Sequence, residues 1–111
     1  MPYIDPIEVS PDAYRLLFEN DHVRVLEMSL RAGEMDEVHS HPSETVYFIK
    51  GSKARIHLPD GGTAELEIPD GHVMWHEEWM HQVENIGSAD ILAIIVESKQ
   101  SERPTAQIRG P

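Results

Sequence analysis

Four residues combine the types and spacing that chemistry needs: His39, His41, Glu44 and His81. Residues i and i+2 of a strand project to one face, so His39 and His41 aim two imidazoles at one volume. Pro42-Ser43 can turn the chain and bring the Glu44 carboxylate towards the same point. Two imidazoles and a carboxylate make a facial set for a divalent metal with open positions. A third imidazole on a neighbouring strand, His81, would complete a His, His, Glu, His site.

The other histidines have plainer places. His57 alternates with apolar residues and is expected to face outward. His22 sits in a turn and His72 in a loop, both expected to be solvated. His76 lies beside Trp75 and close to His81, where it either lines a pocket mouth or belongs to the surface. Met74, Trp75, Trp79 and Met80 flank His81. They are candidates for an apolar pocket wall, with core packing or a dimer contact as the alternative. Tyr47 has the opposite parity to Glu44 and is not expected in the pocket. The segment His76-Glu77-Glu78-Trp79-Met80-His81 resembles the H-E-x-x-H helix of zinc proteases, but its histidines are five apart. At ~100° per residue they diverge by about 140° around a helix, so that reading is set aside.

These residues must be held by strands. Leu26, Met28 and Leu30 alternate with polar neighbours, as do Ala54, Ile56 and Leu58, and Ala64, Leu66 and Ile68. Pro59-Asp60-Gly61-Gly62 reads as a hairpin turn between the last two sets. Val46-Tyr47-Phe48-Ile49 and Ile91 to Val96 are unbroken apolar runs; the first suggests burial on both faces or cover from a second copy of the chain. Tyr14 to Phe18 is read as a strand pairing with Val23 to Leu30 across Glu19-Asn20-Asp21. Ser10-Pro11-Asp12 is expected to cap one helical turn. Strands recurring every eight to twelve residues between turn signals imply an all-β sandwich or closed barrel.

Composition narrows the function. The 111 residues fit one domain, with 40% hydrophobic content for a core. Nine Lys and Arg against twenty Asp and Glu give a net charge of −11, so no nucleic acid and no membrane surface is expected as a partner. No cysteine is present, which excludes disulfides, thiolate metal sites and a cysteine nucleophile. No apolar stretch approaches a membrane span and no basic, apolar leader opens the chain. A cytoplasmic location is the expectation.

The spacing resembles the cupin superfamily. Its first motif, G-x5-H-x-H-x3–4-E-x6-G, is matched by Gly33, His39, His41, Glu44 and Gly51; the end of its second, H-x3-N, is matched by His81 and Asn85. Two residues, not three or four, separate His41 from Glu44, though counting back from Gly51 leaves Glu44 in register. His76-Glu77-Glu78 stands where the family has Pro-x-Gly. The resemblance implies a double-stranded β-helix, or jelly-roll, barrel over residues 23–97. An extended arm and first strand (1–22) would precede it and an extended tail (98–111) would follow. It further implies one divalent transition metal (Fe, Ni, Zn, Mn or Cu) held by His39, His41, Glu44 and His81, or by the three histidines alone with Glu44 beside them. The small-molecule reactions that follow are a dioxygenase-type oxidation first, then a non-redox lyase, isomerase or cyclase, then binding without catalysis. Small cupins commonly form homodimers, and one is expected here.

Overall fold

The alternating segments form strands in the computed structural model, which describes residues 3–99. In chain order they are β1 (Tyr14–Glu19), β2 (Val23–Leu30), β3 (His39–His41), β4 (Glu44–Lys50), β5 (Lys53–His57), β6 (Thr63–Glu67), β7 (Val73–His76), β8 (Trp79–Asn85) and β9 (Ile91–Ser98). They pair antiparallel in two sheets, ordered β1-β2-β9-β4-β7 and β3-β8-β5-β6. The hydrophobic core lies between the sheets, with Leu26, Leu30, Val46, Phe48, Ile91 and Ile95 from the larger facing Ala54, Ile56 and Val83 from the smaller. This is an all-β double-stranded β-helix architecture.

The N-terminal stretch differs from expectation at one point. Ser10-Pro11-Asp12 opens a single turn, the Ser10 carbonyl accepting from the Ala13 and Tyr14 N–H groups at 3.0 Å each. A second turn precedes it, as α1 (Pro6–Val9), inside the stretch expected to be extended. Asp5 caps it by accepting the Ile7 N–H at 2.9 Å, and Ser10 closes it. Asp5-Pro6 and Ser10-Pro11 carry the same local signal, and each opens a turn. The run Val46 to Ile49 is buried on one face only: Val46 and Phe48 point in, Tyr47 and Ile49 are exposed. Strand β6 pairs as the alternation requires, yet all five of its residues are exposed, because it is the edge strand of the smaller sheet. The tail expected beyond residue 98 lies outside the described residues after Lys99.

The stretch leading to β3 is stitched to β8. Gly33 adopts φ +86°, a left-handed conformation that favours glycine. Its N–H reaches the Asn85 carbonyl at 2.9 Å, the Asn85 N–H reaches the Glu34 carbonyl at 2.9 Å, and the Asp36 N–H reaches the Val83 carbonyl at 3.0 Å. The fully buried Asn85 amide donates to the Leu30 and Ala89 carbonyls at 3.0 and 2.8 Å and accepts from Ser52 and the Gly87 N–H, each at 3.0 Å. Gly51 leaves no room for a side chain, since a Cβ there would lie 2.0 Å from the Ile68 carbonyl oxygen.

Asn85→Ala removes all four side-chain bonds in a place water does not reach. We expect a loss of about 3 kcal/mol, from orphaned buried groups at roughly 1–3 kcal/mol each, read by urea unfolding. A loss under about 1 kcal/mol would remove Asn85 as the pin of this end of the barrel.

Candidate metal centre

The β3–β8 ladder sets the histidines. His39 faces His81 across the pair, and His41 faces Trp79. Cross-strand partners share a face and i, i+2 residues do too, so all three imidazoles enter the barrel. Their exposures are 0% for His39, 2% for His41 and 6% for His81. Ring centroids lie 4.7 Å (His39–His41), 4.8 Å (His39–His81) and 5.4 Å (His41–His81) apart. One nitrogen from each ring lies within 4.8 Å of the others.

Hydrogen bonds set the ring edges. His39 Nδ1 donates to the Glu37 carbonyl at 2.7 Å. Its Nε2 lone pair then faces the Tyr14 hydroxyl oxygen at 3.3 Å, and Tyr14 sends its own proton to Asp36 Oδ2 at 2.7 Å. Two lone pairs in contact repel unless a positive charge lies between or beside them. His41 Nδ1 donates to Glu97 Oε2 at 2.6 Å, which leaves its Nε2 free. Neither nitrogen of the buried His81 has a hydrogen-bond partner, nor does Glu44 Oε1.

Burial keeps His39 and His81 neutral. Desolvation, helped by the neighbouring His41, pushes His39 down to about 4. Desolvation, helped by His39 and His41, pushes His81 down to about 2. Neutral imidazole is the form that ligates metal. The same desolvation raises Asp36 to about 6 and raises Glu44, against the pull of His41 and the Trp79 hydrogen bond.

A polar row crosses the larger sheet at this end. Arg24 on β2 pairs with Glu97 on β9, Glu97 with Glu44 on β4, and Glu44 with His76 on β7. Glu44 and Glu97 are each 2% exposed. Two carboxylates placed opposite one another in the interior need positive charge nearby. Arg24 supplies one, with Nε 3.7 Å from Glu97 Oε1.

The expected site residues separate into groups. His39, His41 and His81 converge. Glu44 does not join that trio; it clusters with His41 and Glu97, its Oε1 3.4 Å from His41 Nδ1 and its Oε2 accepting from Trp79 Nε1 at 2.8 Å. Met74 and Trp79 line the interior cavity. His76 stacks on Trp79 with centroids 3.5 Å apart and backs that wall. Trp75 points the other way, 60% exposed on the outer face of β7. Tyr14, Asp36 and Glu97 were not singled out from the sequence. Glu97 had a signal, since the alternation Ile91, Ala93, Ile95 places it on the core face. Asp36 and Tyr14 had none, because their meeting depends on a 22-residue separation closed by the fold.

The cavity has a volume of ≈ 60 Å³ and is walled chiefly by apolar side chains including Phe48, Ile56, Leu66 and Val83, with His41, Glu44 and His81 on its rim. A groove of ≈ 410 Å³ outside it shares His41 and Trp79 and adds Tyr3, Ser40, Glu78 and Met80. A larger hollow of ≈ 520 Å³, beside the turn from α1 to β1, touches none of the three histidines.

The architecture has well-matched counterparts among solved structures. A cupin domain from Bordetella pertussis Tohama I is 19% identical, with a TM-score of 0.71 over 90% of this chain and 99% of that one. An RmlC-like cupin family protein with a double-stranded β-helix fold, from Methanocaldococcus jannaschii, is 20% identical, with a TM-score of 0.62 over 77% of each chain. A Klebsiella pneumoniae protein with a double-stranded β-helix domain is 21% identical, with a TM-score of 0.63 over 86% and 83%. The fold is that of the cupins. No protein-family model matches the sequence, and no curated protein matches it significantly. In this cupin barrel the unpartnered His81 nitrogens, the facing lone pairs at His39 and the buried carboxylates all fit a bound divalent cation. Among the described residues no helix is long and apolar enough to cross a membrane.

The depressed pKa of His81 sets a pH dependence. In the metal-free protein, unfolding lets His81 regain its ordinary value of 6.5 from about 2. Between pH 6 and 4 the unfolded state therefore binds a proton that the native state refuses, and falling pH favours unfolding. His81→Leu lacks that proton. Its stability relative to the parent should rise by about 1.4 kcal/mol per pH unit of acidification over this window, measured by urea unfolding in chelator. A difference that stays flat from pH 6 to 4 would show that His81 is protonated in the folded state.

Proposed function

We propose that this chain is a mononuclear metal-dependent cupin acting on a small organic molecule, with dioxygenase-type oxidation as its reaction. The observation that carries the reading is the convergence of three buried imidazoles, two of them lining an apolar cavity and one with both nitrogens unpartnered. His39, His41 and His81 would hold the ion, and Glu44 would stand beside them. When bound, a divalent transition metal (Fe, Ni, Zn, Mn or Cu) supplies charge, open coordination positions and, as iron, redox chemistry with dioxygen.

The remaining work belongs to the chain. Phe48, Ile56 and Val83 keep water from the reacting end of a substrate. A cavity of ≈ 60 Å³ is well below the roughly 150 Å³ that takes benzene. It suits dioxygen or a small reacting group, and the ≈ 410 Å³ groove outside would take the rest of the molecule. A second reading, a non-redox lyase, isomerase or cyclase, is favoured by Glu44. Its Oε1 is unpartnered and Trp79 fixes its other oxygen, so it can take a proton from a polarised substrate.

Protein purified without added metal should carry about one transition-metal ion per chain by elemental analysis, and the His39→Ala, His81→Ala double variant under a tenth of that. Equal metal content in the two would remove the site. Oxygen uptake by the iron form over a panel of small chelating substrates supports oxidation. Turnover under nitrogen with zinc, nickel or manganese supports the second reading, and tight binding without turnover would make the chain a binding module.

We also propose that the chain pairs as a homodimer through the outer face of the larger sheet. Phe18, Val25, Val96, Thr45 and Trp75 form one uncharged row across it, and Ile94, Tyr47 and Val73 form the apolar part of a second that continues into the Glu27–Arg15 ion pair. A chain of net charge −11 associates with itself most readily where charge is absent. Light scattering should return twice the 12.6 kDa chain mass, reverting to one chain in Trp75→Glu. A parent protein of single-chain mass at micromolar concentration would end this proposal.

A further inference from the structure

His41 is tied to the N-terminal segment by a continuous chain of charged contacts. Its Nδ1 donates to Glu97 Oε2 at 2.6 Å. The other Glu97 oxygen faces Arg24 Nε at 3.7 Å, from the residue directly opposite on β2. Arg24 forks onto Asp5, with Nη2 2.6 Å from Oδ1 and Nη1 3.1 Å from Oδ2. Asp5 is itself fixed by the Ile7 N–H at 2.9 Å.

The same segment grips β3 directly. Ile4 N–H donates to Ser40 Oγ at 3.0 Å, and the Ser40 N–H donates to the Ile4 carbonyl at 2.7 Å. Ser40 lies between the two histidines. β3 is a three-residue edge strand with β8 as its sole partner in the sheet, so its own ladder is short and an outside hold matters.

We infer that Glu97 is a positioning residue for His41, and that Arg24 and Asp5 extend its hold to the N-terminal segment, making residues 3–5 a working part of the centre. The inference rests on the metal-binding reading above. A carboxylate that accepts from Nδ1 fixes both the tautomer and the plane of the ring, presenting Nε2 to the ion. Glu97 does this from full burial. Arg24 keeps the Glu97 carboxylate from turning towards Glu44, its neighbour in the row. Asp5 in turn holds the guanidinium in place through both of its oxygens.

The test uses the full chain and Co²⁺, with affinity from competition against a chelating dye and the visible Co²⁺ spectrum as the signature of ligand geometry. Glu97→Leu fills the same space without an acceptor. It should lose about 10–100-fold in affinity and alter the spectrum, as removal of such an outer partner does. Glu97→Gln keeps an oxygen that accepts from Nδ1–H and should recover most of the loss, which a packing role would not predict. Asp5→Ala should lose at least about 3-fold, a smaller effect of the same kind. Arg55→Ala, which breaks an exposed ion pair with Glu65 on the sheet that carries the histidines, should change neither readout. Parent-like affinity and spectrum in Glu97→Leu would overturn the role of Glu97, and the same in Asp5→Ala would overturn that of the segment. Should the Leu variant fail to fold, Asp5→Ala decides alone. A parent chain that does not bind Co²⁺, or a His39→Ala variant that binds it equally well, would instead overturn the metal reading.

Discussion

The interior of this barrel holds more lone pairs than protons or cations to meet them. Three imidazoles and three carboxyl groups, Asp36, Glu44 and Glu97, lie out of water within one end of the fold, and Arg24 is the cation that borders them. A buried polar group left unmatched costs roughly 1–3 kcal/mol, and a buried charge costs more. His81 meets this cost with both nitrogens. Such an arrangement persists only where the surrounding structure enforces it, and such groups cluster where ligands bind.

The enforcement comes from backbone pairing. The short strand β3 is registered against β8 so that His39 stands opposite His81. The loop before it is bonded to the same strand at Gly33, Glu34 and Asp36. Asn85, at the far end of β8, ties that strand to the Leu30 carbonyl of the larger sheet. Residues of the two motifs that carry no metal chemistry thus fix the distance between those that do. Gly33 allows the turn, Gly51 allows close approach of the Ile68 backbone, and Asn85 closes the joint.

Parity divides the same segment between two tasks. On β7, Met74 and His76 face inward while Val73 and Trp75 face out. On β4, Glu44, Val46 and Phe48 face the cavity while Tyr47 and Ile49 lie on the outer surface. One face of each strand builds the dry pocket and the other builds an apolar exterior. Trp79 belongs to the first, bonded to Glu44 and stacked on His76; Trp75 belongs to the second.

Much of this was legible in the order of residues. Period-two alternation marks β2, β5 and the β5–β6 hairpin, and the interval between His39 and His41 puts both on one face, because these are local consequences of strand geometry. The pairing of His41 with Glu97, of Tyr14 with Asp36, and of Glu44 with Glu97 was not. Each joins segments 22 to 56 residues apart, and no local periodicity reports which strand will lie beside which. The place of Glu44, left open by the sequence between ligand and neighbour, lies beside His41 Nδ1 with a bond to Trp79. A side chain's partners depend on the contacts that fill the space around it, and those contacts exist only once both sheets have closed.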